Sequence, residues 1–184
     1  MKGKGSGDLT TLYAYLILCG FIAAALYIAI HELGHGIVAV LRGGRIDAFN
    51  LWRGYVSTSG GDYNILTGLL FYAAGVMFST LCAAVYTLLY RRGKGDVFYR
   101  FFSFLYAAVS VSGLGDWILT PLLYRLGRAP RGDDCTVFLR LSEISPWAVS
   151  LAAASAAFLL VALILTRGLA RDFIGAVRKC LDKS

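Results

Sequence analysis

The sequence predicts an all-α polytopic membrane protein with about four transmembrane helices and a short membrane-associated β-hairpin after the first. Of its 184 residues, 58% are hydrophobic and only 16% are charged, whereas a soluble domain has about 25% charged residues. Four apolar segments, near residues 12–41, 65–90, 97–124 and 146–166, reach the roughly 20 residues that a membrane span requires. We therefore expect a multi-pass integral membrane protein that forms one domain over residues 1–184.

The net charge of +7 does not indicate a nucleic-acid partner. Almost all of the charges fall between and beyond the apolar segments, where Lys and Arg lie among lipid head groups. No aromatic RNA-binding motif accompanies them. We expect the lipid bilayer as a partner and no nucleic acid, and the sequence does not specify an oligomeric state.

The two ends of the chain are polar. Residues 1–8 are rich in Gly, Lys and Ser and are expected to be disordered. In the tail, residues 167–184, apolar residues recur every four positions while basic residues lie elsewhere around the helix: Leu169, Phe173, Val177 and Leu181. This pattern predicts a basic amphipathic helix on the membrane surface.

The first span contains the motif His31-Glu32-Leu33-Gly34-His35, which includes the only two histidines of the chain. Positions i and i+4 lie on one face of a helix, so His31 and His35 can bind the same ion. Imidazole nitrogens suit Zn²⁺, and Glu32 stands where a general base is needed. We predict one Zn²⁺ per chain. The alternative is a pair of core histidines that are hydrogen-bonded to backbone or serine groups.

After the first span the hydrophobic period changes to two. Alternation from Ile46 to Trp52 is followed by a turn near Arg53-Gly54 and by Tyr55-Val56-Ser57-Thr58. This pattern predicts two short strands around a turn. The alternative is an irregular, partly apolar loop.

Two histidines do not complete a catalytic zinc site, which usually has three protein ligands and a water. If the spans alternate in direction, the first and third run the same way. Counted back from the end of its span, Asp116 then lies about 12 Å deep, between the two histidines at about 9 and 15 Å. A carboxylate inside a span is costly unless it has a partner, so we predict Asp116 as the third ligand. The alternatives Asp133 and Asp134 lie in the loop beyond that face, as does Glu143.

These features resemble the site-2 protease group of intramembrane zinc metalloproteases. The resemblance rests on the His31–His35 motif followed by Gly43-Gly44-Arg45-Ile46. It extends to Phe49-Asn50-Leu51 and Gly54-Tyr55-Val56, which are similar to the membrane-associated β-hairpin of the family. Ala74-Gly75 in the second span is similar to its small-residue helix motif.

The sequence also departs from the family pattern. Asp116 stands where the family has a third zinc ligand, but within Leu114-Gly115-Asp116-Trp117 rather than a Pro-containing Leu-Asp-Gly segment. Val76 and Ser79 occupy positions where family members often have Pro and Asn.

The resemblance implies a zinc metalloendopeptidase that hydrolyses peptide bonds within transmembrane segments of other membrane proteins. Zinc held by His31, His35 and Asp116 would activate water, and Glu32 would act as the base. The two hairpin segments, residues 49–51 and 54–56, would bind locally unwound substrate by strand addition. The alternatives are a non-catalytic relative that binds membrane helices and an ion or proton transporter that uses His31, Glu32 and Asp116.

Overall fold

Four long helices, one β-hairpin and two short helices make up the chain in the computed structural model, which describes residues 6–182. The elements are α1 (Ser6–Leu41), β1 (Gly44–Asn50), β2 (Tyr55–Gly60), α2 (Ile65–Leu89), α3 (Val97–Arg125), α4 (Asp134–Ser142), α5 (Pro146–Arg167) and α6 (Leu169–Leu181). The prediction of an all-α polytopic membrane protein with a hairpin after the first helix is confirmed.

Four of these helices are long and apolar enough to cross a membrane: Leu9–Leu41, Ile65–Leu89, Val97–Arg125 and Pro146–Arg167. They match the four spans predicted from hydropathy, and the protein is a multi-pass integral membrane protein. Helix α1 begins at Ser6, inside the segment expected to be disordered. Residues 1–5 of that segment lie outside the described residues.

Local sequence signals define the helix ends. Asn64 and Thr67 form a capping box at the start of α2, in which each side chain bonds the backbone N–H of the other at 2.9 Å. The Asp96 carboxylate accepts a hydrogen bond from the N–H of Tyr99 at the start of α3. These bonds satisfy N–H groups that have no partner within the helix.

Helix α3 forms the centre of the bundle and packs against all the other helices, most extensively against α5 and α1. Its buried side chains include Phe101, Tyr106, Leu114 and Trp117. The hairpin packs instead along α1. Because α1 and α2 contact each other closely, the second half of α1 lies between the hairpin and the other helices.

The hairpin folds back beside α1 towards the middle of that helix. The ring of its turn residue Trp52 packs on that of Phe21, with the ring centroids 6.1 Å apart. A Cβ at Gly54 would lie 3.7 Å from the side chain of Ile28. Phe21 is 20 residues before the end of α1, or about 30 Å along the helix. The hairpin therefore enters the depth range that the span occupies, as expected for a membrane-associated hairpin.

The last helix, α6, packs on the bundle. Leu169 and Ala176 are buried, and the ring of Phe173 stacks on Phe104 at 4.4 Å. The sequence alone predicted that this apolar face lies on the membrane surface. In the structure α1 and α3 cover it instead, and Phe173 meets the rings of Phe101 and Phe104 near the start of α3.

We expect Phe173→Ala to release α6 from the bundle. The stacking on Phe104 and the burial of the ring contribute about 2 kcal/mol, so opening of the tail should become at least about tenfold more frequent. Limited trypsin digestion after Arg178 and Lys179 measures this change. The control is Ile174→Ala, which truncates an exposed neighbour, and equal digestion rates for the two variants would contradict this packing.

Candidate metal centre

Both histidines of the α1 motif point towards α2. The two imidazole rings lie 5.0 Å apart, and both border one cavity of about 310 Å³. His35 is buried, while the side chain of His31 retains 18% exposure. The helical spacing of four residues thus produces the shared face that the sequence predicted.

The carboxylate that reaches both imidazoles belongs to Asp134. Its Oδ2 lies 3.2 Å from Nε2 of His31 and 3.0 Å from Nε2 of His35. Ligand atoms of these three residues lie within 4.8 Å of one another, and the group can hold a metal ion. The residue was named from sequence only as an alternative third ligand.

Asp134 reaches the histidines because the connection between α3 and α5 contains a helix. Asp133 caps α4: its Oδ1 accepts hydrogen bonds from the N–H groups of Cys135 and Thr136, and the Thr136 hydroxyl donates to its Oδ2. This cap fixes the first residue of α4, and Asp134 is that residue. The two adjacent aspartates therefore have different tasks.

A backbone carbonyl of α2 orients His35. Nδ1 of His35 lies 2.7 Å from the carbonyl oxygen of Phe71. Since a carbonyl only accepts, Nδ1 carries the proton and Nε2 keeps its lone pair for a metal. A hydrogen bond of this kind is typical of metal-ligating histidines.

The space between the imidazoles exists because residue 75 is glycine. A Cβ at Gly75 would lie 2.4 Å from Nε2 of His31 and 2.5 Å from Nε2 of His35. Such a carbon would occupy the position that a shared ion needs. Gly75 was predicted from sequence only as a helix-packing residue.

The distances fit tetrahedral zinc. Zn–N and Zn–O bonds of about 2.0–2.2 Å give ligand–ligand distances of about 3.3 Å along each edge of the tetrahedron. The observed separations between Asp134 and the two imidazoles, 3.2 and 3.0 Å, are close to that value. Two neutral nitrogens and a carboxylate are also a donor set that Zn²⁺ accepts.

The electrostatics of Asp134 suit a cation. Burial raises the pKa of this carboxyl, but when no ion lies between them the adjacent imidazoles of His31 and His35 outweigh that effect and lower it to about 2. The group is therefore ionised at neutral pH. An ionised carboxylate is the form that binds a metal.

The structure does not bring Asp116 into this group. Asp116 lies on α3 with an exposed side chain, whereas its neighbour Trp117 is buried. The depth estimate was close, because the Tyr27 hydroxyl at the level of the motif packs against Gly113, one turn before Asp116. The depth of a residue in the membrane does not determine the direction of its side chain, however, because successive residues are rotated by about 100° around the helix axis. Glu143 ends α4 and is likewise outside the group.

The same cavity contains Glu32 and part of the hairpin. Glu32 is buried, borders the cavity beside the histidines and is not one of the clustered ligands. From the predicted substrate-binding segments, Gly54, Tyr55 and Val56 border the cavity. The other three, Phe49, Asn50 and Leu51, do not.

The positions of those three residues have a structural explanation. Phe49 pairs with Val56 in the ladder between β1 and β2, so β1 is the strand farther from the histidines. The Asn50 side chain accepts a hydrogen bond from the N–H of Arg53 and closes the turn. Leu51 lies within that turn.

A comparison with protein families assigns the chain to a known group. A family model described as Peptidase M50B-like matches residues 10–130. The chain belongs to the Peptidase M50B-like family. This confirms the resemblance to site-2 proteases. The match includes the histidine motif, the hairpin, α2 and α3, while Asp134 lies beyond it. Neither a search of curated proteins nor a search of solved structures finds a match.

Sequence reasoning missed the role of α4, although a signal was present. Asp133 precedes Cys135, Phe138 and Leu139 at helical spacing, which is the pattern of an N-cap before an apolar helix face. The role of Phe71 had no such signal, because its carbonyl rather than its side chain contacts His35.

We expect Gly75→Ala to abolish metal binding, because the new methyl group would fill the space between the two Nε2 atoms. Zinc per purified protein, measured by mass spectrometry, should fall from about one to near zero. The matched control is Gly115→Ala, since a Cβ there meets nothing within 4 Å. Full zinc in the Gly75→Ala protein would show that the ion does not lie between the histidines.

Proposed function

We propose that this protein is an intramembrane zinc metalloprotease that hydrolyses peptide bonds within transmembrane segments of other membrane proteins. One observation carries the proposal: two imidazoles, a carboxylate and a separate glutamate meet in one cavity beside a β-strand edge. Membership of a peptidase family supports the same chemistry.

The proposed ligands are His31, His35 and Asp134, with one zinc per chain. When bound there, zinc supplies Lewis acidity, which lowers the pKa of water to about 7 and polarises a carbonyl. The protein residues prepare that site. The Phe71 carbonyl fixes the tautomer of His35, and the Asp133 cap holds Asp134 at the start of α4.

Glu32 is the proposed general base. It removes a proton from the attacking water and later delivers it to the amine that leaves. Its position next to His31 in the chain places it in the same cavity, while its absence from the ligand cluster keeps its carboxylate available. A metal site with a purely structural role would not need this residue.

The proposed substrate is a transmembrane helix of another protein. The carbonyls of a helix are hydrogen-bonded within it, so the segment must unwind before attack. An extended segment can then pair with the edge of β2, where Tyr55 and Val56 border the metal cavity. Phe49, Asn50 and Leu51 support this strand through the ladder and the turn.

We predict that Glu32→Gln lowers cleavage of a model transmembrane substrate by about 10²–10⁴-fold, the usual contribution of general acid–base catalysis. Zinc content should not change, because Glu32 is not a ligand. Glu143→Gln is the matched control, since it alters the only other glutamate and that residue lies at the end of α4. Cleavage by the Glu32→Gln protein at the rate of wild type would refute the mechanism, and a metal-loaded wild-type protein that cleaves no membrane substrate would favour a non-catalytic role.

A further inference from the structure

A second cavity, of about 520 Å³, lies next to the metal cavity. Phe71 borders both cavities. Its ring contacts His35 at 5.1 Å on one side and Tyr63 at 5.8 Å on the other. The two spaces are thus separated by one aromatic side chain whose backbone carbonyl also orients a candidate ligand.

Strand β2 runs past both spaces. Tyr55 and Val56 border the metal cavity, and residues 58–60, at the other end of the same strand, border the second cavity. Within residues 6–182 the sheet has two strands, so β2 has one edge with no strand beside it. An extended peptide on that edge would pass from the imidazoles to the second cavity.

The spacing defines which substrate residue would reach the second cavity. The ring of Phe71 lies between those of His35 and Tyr63, with centroid separations of 5.1 and 5.8 Å. An extended chain advances about 3.3 Å per residue. A side chain two or three residues from the cleaved bond therefore reaches it. The cavity lies at the first residues of α2, so this side chain belongs to the flank of the substrate that leaves the membrane on that side.

The lining indicates the chemistry of the occupant. Most of the wall is aromatic or aliphatic, and several apolar side chains in it are exposed: Tyr63, Ile65 and Leu141. Hydroxyl and amide groups of Thr58, Ser59 and Asn64 form the remainder. Such a wall favours a large apolar side chain whose adjacent backbone remains polar.

We propose that this second cavity is the specificity pocket of the protease and binds a Leu- or Phe-sized substrate side chain two or three residues from the cleaved bond. The inference rests on the proposed proteolytic function. It defines the substrate class as transmembrane proteins with a large apolar residue near the membrane boundary on one flank of the cleavage site.

Gly68 allows the pocket to be filled without disturbing its walls. A Cβ at this position meets only Cδ1 of Leu141, at the ordinary contact distance of 3.9 Å. Gly68→Leu should therefore fold and occupy the cavity, and Gly68→Ala should do so in part. Gly20→Leu is the matched control, because Gly20 lies on α1 and its Cβ would meet nothing within 4 Å.

The test uses purified full-length protein and a set of model transmembrane substrates. Each substrate carries Ala, Leu or Phe at the second or third residue on either side of the cleaved bond. We expect wild type and Gly20→Leu to prefer Leu or Phe over Ala at one of these positions by about tenfold or more in kcat/KM. Gly68→Leu should lose that preference and keep its zinc. Gly68→Ala should be intermediate.

The outcomes separate the two proposals. If wild type cleaves but shows no preference at these positions, or if zinc-loaded Gly68→Leu keeps the preference, the pocket assignment is overturned and the protease assignment remains. If Gly68→Leu fails to fold, Leu141→Ala replaces it: the enlarged pocket should shift the preference from Leu towards Phe, and an unchanged preference overturns the assignment. No cleavage by zinc-loaded wild type overturns both proposals.

Discussion

The close contact between α1 and α2 is the constraint on which the rest of the site depends. A Cβ at Gly34, between the two histidines, would lie 2.5 Å from the carbonyl oxygen of Ala74. The helices thus approach backbone to backbone, as small residues permit in membranes. This approach brings the Phe71 carbonyl to His35 and requires glycine at position 75. A larger residue at either glycine would separate the helices and remove the metal site.

The hairpin presents a second physical problem, which the proposed function answers. Backbone N–H and C=O groups at a strand edge have no water to bond in the hydrocarbon region, yet the turn at Trp52 lies beside Phe21 deep along α1. The edge of β2 is next to the polar cavity rather than lipid alone. An unwound substrate segment also has unpaired backbone N–H and C=O groups, because its helical hydrogen bonds are broken. Strand addition satisfies both.

The interior of the bundle also bears on the transporter alternative. A transporter needs a route that continues from the site to the other membrane face. The described part of the bundle contains a buried cluster of small and aromatic side chains, including Ala23, Ala83, Tyr106 and Ala107. The cavities of about 640 and 350 Å³ between the helices have almost wholly apolar linings, which include Val76 and Leu114. Such linings do not suit the passage of an ion.

The sequence predicted those features that depend on periodicity. Hydropathy defined four spans within a few residues, and alternation with Arg53-Gly54 located the hairpin. It could not define which carboxylate meets the histidines, because that depends on the direction of a side chain around α3 and on the path of the chain after it. Asp116 has the right depth, but its side chain is exposed and lies outside the ligand group. Asp134 is 103 residues from His31 and reaches it only because α4 folds back towards α2.

The most direct test of this account compares zinc affinity in Asp134→Asn and Asp116→Asn, two isosteric changes that remove one negative charge each. Competition with a chromogenic chelator measures the affinity. The account predicts that Asp134→Asn weakens zinc binding by more than about a hundredfold, since loss of a direct ligand exceeds the 10–100-fold effect of an outer-shell change. Asp116→Asn should stay within about threefold of wild type. The opposite order would contradict the central claim and assign the third ligand to α3.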